Sequence, residues 1–510
     1  MDTKSIIVDV SDSPSTHVTN IALDDMYNDE SVDAVYQAKS RVLNKAIQEI
    51  GMGKYQKQLF ICAGFGWFVD SVWPLATALI LTQAIAEFNF NGPYLTLAAN
   101  VGLLVGPAIW SVGCDTWGRK WPFNLTLLIA GVFGTAAGGS PNFVALACLL
   151  AVVGVGVGGN LPVDSAVFLD LVPGTHQYLL TLINVWWSVG SLLGSLLAWP
   201  LIANYSCPED ALACDSADNM GWRYLLFALG GITLLFWILR FFYFDLLESP
   251  RFLISAGKDA EAVSIIHKIA TYNGTTTALT VEHLTEAAEK VANFGIPVVP
   301  RTTVFGLQHV KGLFSTTKMA ISTTLLIVLW AIIGLAYNLY NCFLPYLLTT
   351  RGVDFGDGSL YITYRNQSIL SVIGIGGALV AGWTVEVSRI GRKGTLAISI
   401  GLTGIFLLAS TTSRSSNALL GWNCGYNFSI NMMWGVMYAI SAEIFPAQHR
   451  GTGNGLVNVA TATFGVLAPV IALYANLSTS VPVYISGTLF IFSGFLALFL
   501  PYEPKGRASI

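Results

Sequence analysis

The 510 residues are 54% hydrophobic and only 11% charged, with a mean hydropathy of +0.61. That balance excludes a soluble fold for most of the chain. A net charge of −4 identifies no partner and gives no ground for a nucleic-acid-binding surface.

At roughly 20 residues per span, the apolar runs predict an all-α membrane protein of twelve transmembrane helices. They fall near 59–80, 93–113, 122–138, 143–168, 178–203, 222–244, 319–347, 362–387, 394–411, 416–442, 453–475 and 480–501. Fifty glycines suit close helix packing in lipid. Cations set the orientation. With a cytoplasmic N-terminus, all 26 Lys and Arg except Arg223, Arg351, Arg365 and Arg414 lie on the inner side, so both termini are expected inside. The expected units are a tail (1–57), a six-helix bundle (58–244), a cytoplasmic linker (245–318), a second bundle (319–502) and a short tail (503–510).

The N-terminal tail opens on a Ser-, Thr- and Asp-rich stretch expected to be disordered. Val35, Ala38, Val42 and Ala46 then recur at helical spacing and predict a cytoplasmic surface helix. No cleaved signal peptide is legible.

In the first span, Asp70 lies near mid-membrane, where ionising an unpaired carboxylate is costly. It is expected to face the bundle interior, a water-filled path or a cationic partner. Trp67 and Trp73 stand three residues to either side, on broadly the same face. A carboxylate between indoles suits a cationic or proton-bearing solute; pairing to another helix is the plainer alternative.

The fourth span reads V-G-V-G-V-G-G-N-L-P-V-D-S. Pro162 loosens the helix beside Asn160 and Asp164, one turn apart, making a polar notch. Asp164 fits a proton or substrate role and helix pairing equally well; Asp170, at the cytoplasmic end, fits a gate. Aromatic belts account for most Trp residues such as Trp186, Trp187 and Trp222 without invoking function. In the loop after the fifth span, a disulfide between Cys207 and Cys214 stays open. Asn204 and Asn476 begin outward glycosylation sequons close to the bilayer.

The hydrophilic insert at 245–318 predicts short helices around 258–270 and 281–292, broken at Tyr272-Asn273-Gly274. In the seventh span Tyr337, Asn338 and Asn341 share a face. In the tenth, Asn423, Asn427 and Asn431 recur every four residues and Trp434 and Tyr438 continue the stripe. Such stripes are either interhelical hydrogen-bonding glue or the wall of a cavity.

Two loops repeat. Gly113, Asp115, Gly118, Arg119 and Lys120 join the second and third spans; Glu386, Gly391, Arg392 and Lys393 join the eighth and ninth. Arg392 follows Arg119 by 273 positions (392 − 119), and Glu443 follows Asp170 by the same 273 (443 − 170). A constant offset across separate loops marks a duplicated unit.

These motifs resemble the major facilitator superfamily over about 57–506. Glu248-Ser249-Pro250-Arg251 resembles the signature after span six of its sugar porters, and Glu443 to Arg450 their motif after span ten. The run Gly158 to Asp164, followed by Asp170, is similar to the fourth span of the branch holding synaptic-vesicle-type glycoproteins and nicotinate or organic-ion carriers. Ser388 departs from the acidic residue expected in the second loop. The resemblance implies two pseudo-symmetric six-helix bundles and alternating access. It further implies a cytoplasmic gate of Asp115, Arg119, Lys120, Asp170, Glu386, Arg392, Lys393, Glu443 and Arg450 that holds the halves together by ion pairs and helix-end contacts.

The expected function is a monomeric, proton-coupled secondary carrier in the plasma membrane. Asp70 and Asp164, with Trp67, Trp73 and Asn160, would serve proton or solute; Asn338, Asn341, Asn427, Asn431 and Trp434 would orient the solute from the opposite half. An organic cation or metabolite is favoured, against uptake of a sugar or organic acid, or a non-transporting receptor built on the same scaffold. No cofactor, metal-ligand spacing or nucleotide loop is legible, and none of the six His pairs with a Ser or Cys in a catalytic pattern.

Overall fold

The computed structural model describes residues 34–207, 215–292, 310, 312–314, 316–341, 344, 360–387, 390–445, 450–474 and 480–501. Among them there are helices and no strands. α1 (Ala34–Ile50) precedes the spans. The first bundle holds α2 (Lys54–Phe88), α3 (Pro93–Trp117), α4 (Lys120–Gly138), α5 (Phe143–Leu171), a short α6 (Leu179–Leu182) running into α7 (Asn184–Asn204), and α8 (Gly221–Ile238). Then come α9 (Pro250–Ser255), α10 (Asp259–Asn273) and α11 (Val281–Ala292). The second bundle holds α12 (Thr317–Asn341), α13 (Leu360–Thr384), α14 (Gly391–Ser410), α15 (Ser416–Ile444), α16 (Arg450–Tyr474) and α17 (Val481–Ala497).

Ten of these segments are long and apolar enough to cross a membrane, and α17 is a shorter apolar helix. α15 completes the twelve, its amide stripe lowering its hydropathy. α2 runs eight residues past the expected end. At 1.5 Å per residue its 35 residues span about 52 Å, so it outruns a hydrocarbon core of about 30 Å. Glu87 on this overhang explains the length: it takes a 2.5 Å ion pair from Arg223 and a 2.9 Å hydrogen bond from the Trp222 indole. Trp222 is fully buried, so the belt reading fails for it. Arg223 also donates to the carbonyls of Gly138 and Ser140, tying α8 to the end of α4.

α1 forms as expected, and its buried residues are Tyr36, Ser40, Leu43, Ala46, Ile47 and Ile50; of the expected face Ala46 is buried, Val42 packs against the core, and Val35 and Ala38 are half-buried. It packs against the helices of the insert, with Lys39 paired to Asp259 at 2.5 Å and Arg251 donating to Asn44 at 2.6 Å. Ser249 caps α9 by accepting from the Phe252 N–H, with Pro250 at the first helical position. Gly274 ends α10 at φ +75°, a left-handed conformation that favours glycine.

Cys207 is disulfide-bonded; Cys214 lies outside the described residues, as do residues 1–33 and Asn476. Asn204 is exposed at the end of α7, its side-chain amide donating to the Pro200 carbonyl.

Candidate functional site

The bundles meet along a seam held by neutral polar groups. Tyr364 donates to the Leu79 carbonyl at 2.8 Å, Asn100 to the Gly465 carbonyl at 3.2 Å, and Ser195 shares a 3.3 Å hydrogen bond with Ser371. Asn431 sits at the centre. Its backbone carbonyl accepts from Asn184 at 2.7 Å, and its side-chain oxygen accepts from Ser188 at 2.9 Å. Asn184 and Trp187 therefore face the other half or the space between the halves, and Trp186 packs on Phe65; none of the three needs a belt at the membrane surface.

At this seam lies a cavity of ≈ 70 Å³. The second half lines it with Asn338, Asn341, Asn427, Asn431 and Trp434, the five residues expected to orient a solute, and adds Tyr337 and Gln367. The first half contributes Ser71, Pro74, Leu75, Trp187, Ser188 and Ser191. Among the described residues, no lining side chain is ionisable in the physiological range. The Asn427 amide nitrogen, the Trp434 indole nitrogen and the Gln367 side-chain oxygen are buried without a hydrogen-bond partner among the described residues. Two donors and one acceptor thus remain for a guest, beside the edge-to-face pair of Tyr337 and Trp434 at 5.3 Å. Gln367 gave no such signal in the sequence because the eighth span carries no amide periodicity.

Asp70 does not reach this space. Its neighbour Ser71 lines the cavity, and successive helical residues point about 100° apart. Asp70 is buried against α5 instead: one oxygen accepts from Asn160 at 2.8 Å and the other from the Leu161 N–H at 3.1 Å. Pro162 offers no N–H of its own and its ring crowds the Gly158 carbonyl four residues back, which loosens the helix at this turn. The expected presentation of Asp70 between Trp67 and Trp73 to an organic cation is therefore not found. Both indoles are buried; Trp67 packs edge-on against Tyr438 at 5.1 Å, and Trp73 fills the groove at Gly134.

Asp164 forms a buried ion pair with Arg240. Arg240 stands on a π-helical turn, Leu239–Tyr243, that ends the sixth span, with its guanidinium carbon 3.0 Å from the centroid of the Phe123 ring. The sequence reading missed this partner, counting Arg240 only among the inner-side cations. Its signal was an arginine inside an apolar run flanked by Leu239 and Phe241.

At the charged-loop end, Arg119 pairs with Asp170, and Arg392 pairs with Glu443 at 2.6 Å. The two ion pairs stand at the same 273-residue offset and repeat one contact in each bundle. Each lies within its own half. Among the described residues, Arg119–Asp170 and Arg392–Glu443 join span to span inside a bundle, and Lys120–Asp245 and Arg251–Asp170 join a bundle to the insert. Ser249 donates to Asp170 at 2.5 Å, and Arg251 approaches it at 3.4 Å. Glu248 accepts from the Arg119 N–H at 2.9 Å, and Lys120 pairs with Asp245 at 2.8 Å. Glu386 is exposed at the end of α13 and Lys393 is half-buried. The side chains of Asp115 and Arg450, and residue Ser388, lie outside the described residues.

A family model described as "Sugar (and other) transporter" matches residues 91–508. The chain is 63% identical over 492 residues to the MFS siderochrome iron transporter 1 of Ceriporiopsis subvermispora (strain B), covering 95% of this chain and 94% of that protein. It is 38% identical over 513 residues to the major facilitator-type transporter hxnZ of Emericella nidulans, covering 97% and 92%. Among solved structures it resembles the proton:xylose symporter XylE bound to 6-bromo-6-deoxy-D-glucose, with a TM-score of 0.68 and 18% identity over 89% of this chain and 98% of that one.

Proposed function

We propose a function from the premise that this chain belongs to the sugar (and other) transporter family of the major facilitator superfamily. It is a multi-pass membrane transporter and not an enzyme. On our reading it carries a small, net-neutral organic solute by alternating access, driven by protons, with both termini and the charged loops on the cytoplasmic side of the plasma membrane.

The observation that carries the solute class is the cavity: walled by both halves, rich in amides and aromatics, and with no ionised group among its described lining residues. A cation would find no counter-charge among them. An uncharged molecule bearing hydrogen-bond acceptors and one flat apolar face would meet Asn427, Trp434 and Tyr337. At ≈ 70 Å³ the space is well below the roughly 300 Å³ at which organic-ligand pockets begin, so the halves must separate to admit the solute. The 63% identical relative is named for siderochrome iron. A net-neutral chelate of that kind satisfies the same chemistry and is the first candidate to try.

Proton coupling is assigned to Asp70 and Asp164. Two buried carboxylates face a single guanidinium, and an uncompensated charge at that depth costs several kcal/mol. One proton makes the group neutral.

The test is uptake by purified protein in proteoliposomes, with and without an inward proton gradient. The panel is a ferric siderochrome, a hexose, nicotinate and a quaternary ammonium. We expect gradient-driven uptake of a net-neutral compound and none of the quaternary ammonium. Uptake of the quaternary ammonium alone would overturn the solute class; uptake indifferent to the gradient would overturn the coupling.

A further inference from the structure

Asp70, Asp164 and Arg240 are three ionisable groups buried within the first bundle, and their hydrogen bonds are incomplete in a telling way. Arg240 uses one nitrogen on an Asp164 oxygen, leaving its Nε and other terminal nitrogen unpartnered among the described residues. The second Asp164 oxygen is likewise buried and unpartnered. Buried polar groups are normally satisfied. Three unpartnered polar atoms on one fully buried ion pair leave room for a second set of hydrogen bonds.

Gly66 shows where the second arrangement lies. A Cβ at Gly66 would collide with the unpartnered Asp164 oxygen and touch Asn160, so that carboxylate rests on the backbone of α2. Gly66 is one helical turn before Asp70. Asp70 in turn binds Asn160, one turn before Asp164. The two carboxyl groups thus occupy adjacent turns of two touching helices, with one guanidinium beside them. Arg240 also stacks on the Phe123 ring, a contact that depends on the ring face and on no single directional bond. The other titratable groups facing this cluster are Cys62 from α2 and Tyr438 from the opposite half.

We infer that Arg240 is the positioning residue of the proton site, shared between two carboxyl groups that hold one proton between them. In one state Asp70 carries the proton and Arg240 pairs with Asp164, the ion pair present in the structure. In the other, the proton has moved to Asp164 and Arg240 pairs with Asp70. Each state contains one proton, one carboxylate and one guanidinium and is neutral, as burial demands. Tyr438 packs against Trp67, three residues before Asp70, and against Trp434 of the cavity wall, giving the exchange a packed route to the solute. This inference rests on the proton-coupled reading above and adds the rule by which the proton is held.

The rule is a proton count, and infrared spectroscopy reads it through the C=O band of protonated carboxyl groups in the purified full chain. The parent should show one such band that Asp70→Asn removes. Asp164→Asn should also remove it, because Arg240 is then left to Asp70. Combining Asp164→Asn with Arg240→Gln should bring the Asp70 band back, Arg240→Gln alone should give two bands, and Arg240→Lys should restore the parental one. A purely structural Arg240 would leave the Asp70 band in place in Asp164→Asn. That result overturns the inference, as does a double variant without the band. Failure of the proton-coupled reading itself is separately visible, as a parent with no Asp70-dependent band.

Discussion

Glu87 and Lys120 show how differently two ion pairs of one chain bear on its stability. Glu87 and Arg223 have side chains 5% and 8% exposed, whereas Lys120 and Asp245 are 48% and 79% exposed. Breaking a buried pair from one side costs about 3–5 kcal/mol; an exposed pair contributes about 0–1 kcal/mol. Glu87→Ala should therefore lower the thermal unfolding temperature in detergent markedly and Lys120→Ala hardly at all, as followed by loss of monodisperse protein on heating. Residue identity alone hinted at Asp70, Asp164 and the amides, because polar groups in an apolar run must find partners. It gave no partner for any of them. Arg240 is 76 positions from Asp164 and Arg223 is 136 from Glu87, and no local pattern links residues so far apart. Asp70 faces the bundle interior, as a carboxylate in an apolar run must, but it meets Asn160 of α5 there, and helix packing buries the indoles of Trp67 and Trp73 beside it.

The helices themselves were the most legible elements, since an apolar run of the right length has few alternatives in lipid. Their faces were less so. α1 formed where its periodicity indicated, and its buried stripe takes in the expected Ala46 but centres on the larger Tyr36, Leu43 and Ile47. The close approach of α3 and α5 depends on the absence of side chains. A Cβ on Gly102 would strike the Ala151 carbonyl, and one on Gly154 would come within 2.5 Å of the Ala99 carbonyl. Those are backbone atoms that cannot swing aside. Gly154→Leu should force the helices apart and reduce the yield of folded protein several-fold. Gly231→Leu, where a Cβ meets nothing within 4 Å, should leave it near parental. Yield after detergent extraction and size-exclusion chromatography compares them.

At the scale of the molecule, the 273-residue repeat was visible in two loops, and the structure gives it a physical content: the same Arg–carboxylate contact built twice. What the repeat could not convey is which contacts cross the seam. Among the described residues they include amides and hydroxyls around Asn431, and close packing of Leu182 against Gly382. Neutral contacts of this kind can be broken and remade without stranding a charge, which suits a seam that must open. Because the Arg119 and Arg392 pairs lie inside the bundles, Arg392→Ala should lower thermal stability. It should leave cross-linking between cysteines placed at Leu182 and Gly382 at the parental rate, measured by mobility shift on a gel.

Opening of that seam is tested most directly by pulsed electron–electron spin resonance on protein in nanodiscs. One spin-label pair is placed at Trp199 and Tyr361, whose rings meet at 5.0 Å across one end of the seam. A second is placed at Leu182 and Trp383 near the other end. On passing from acid to alkaline buffer, and on adding a transported solute, the two distances should change in opposite senses, one lengthening as the other shortens. Distances that stay fixed at both ends, or that lengthen together, would contradict a carrier whose halves rock about a central cavity.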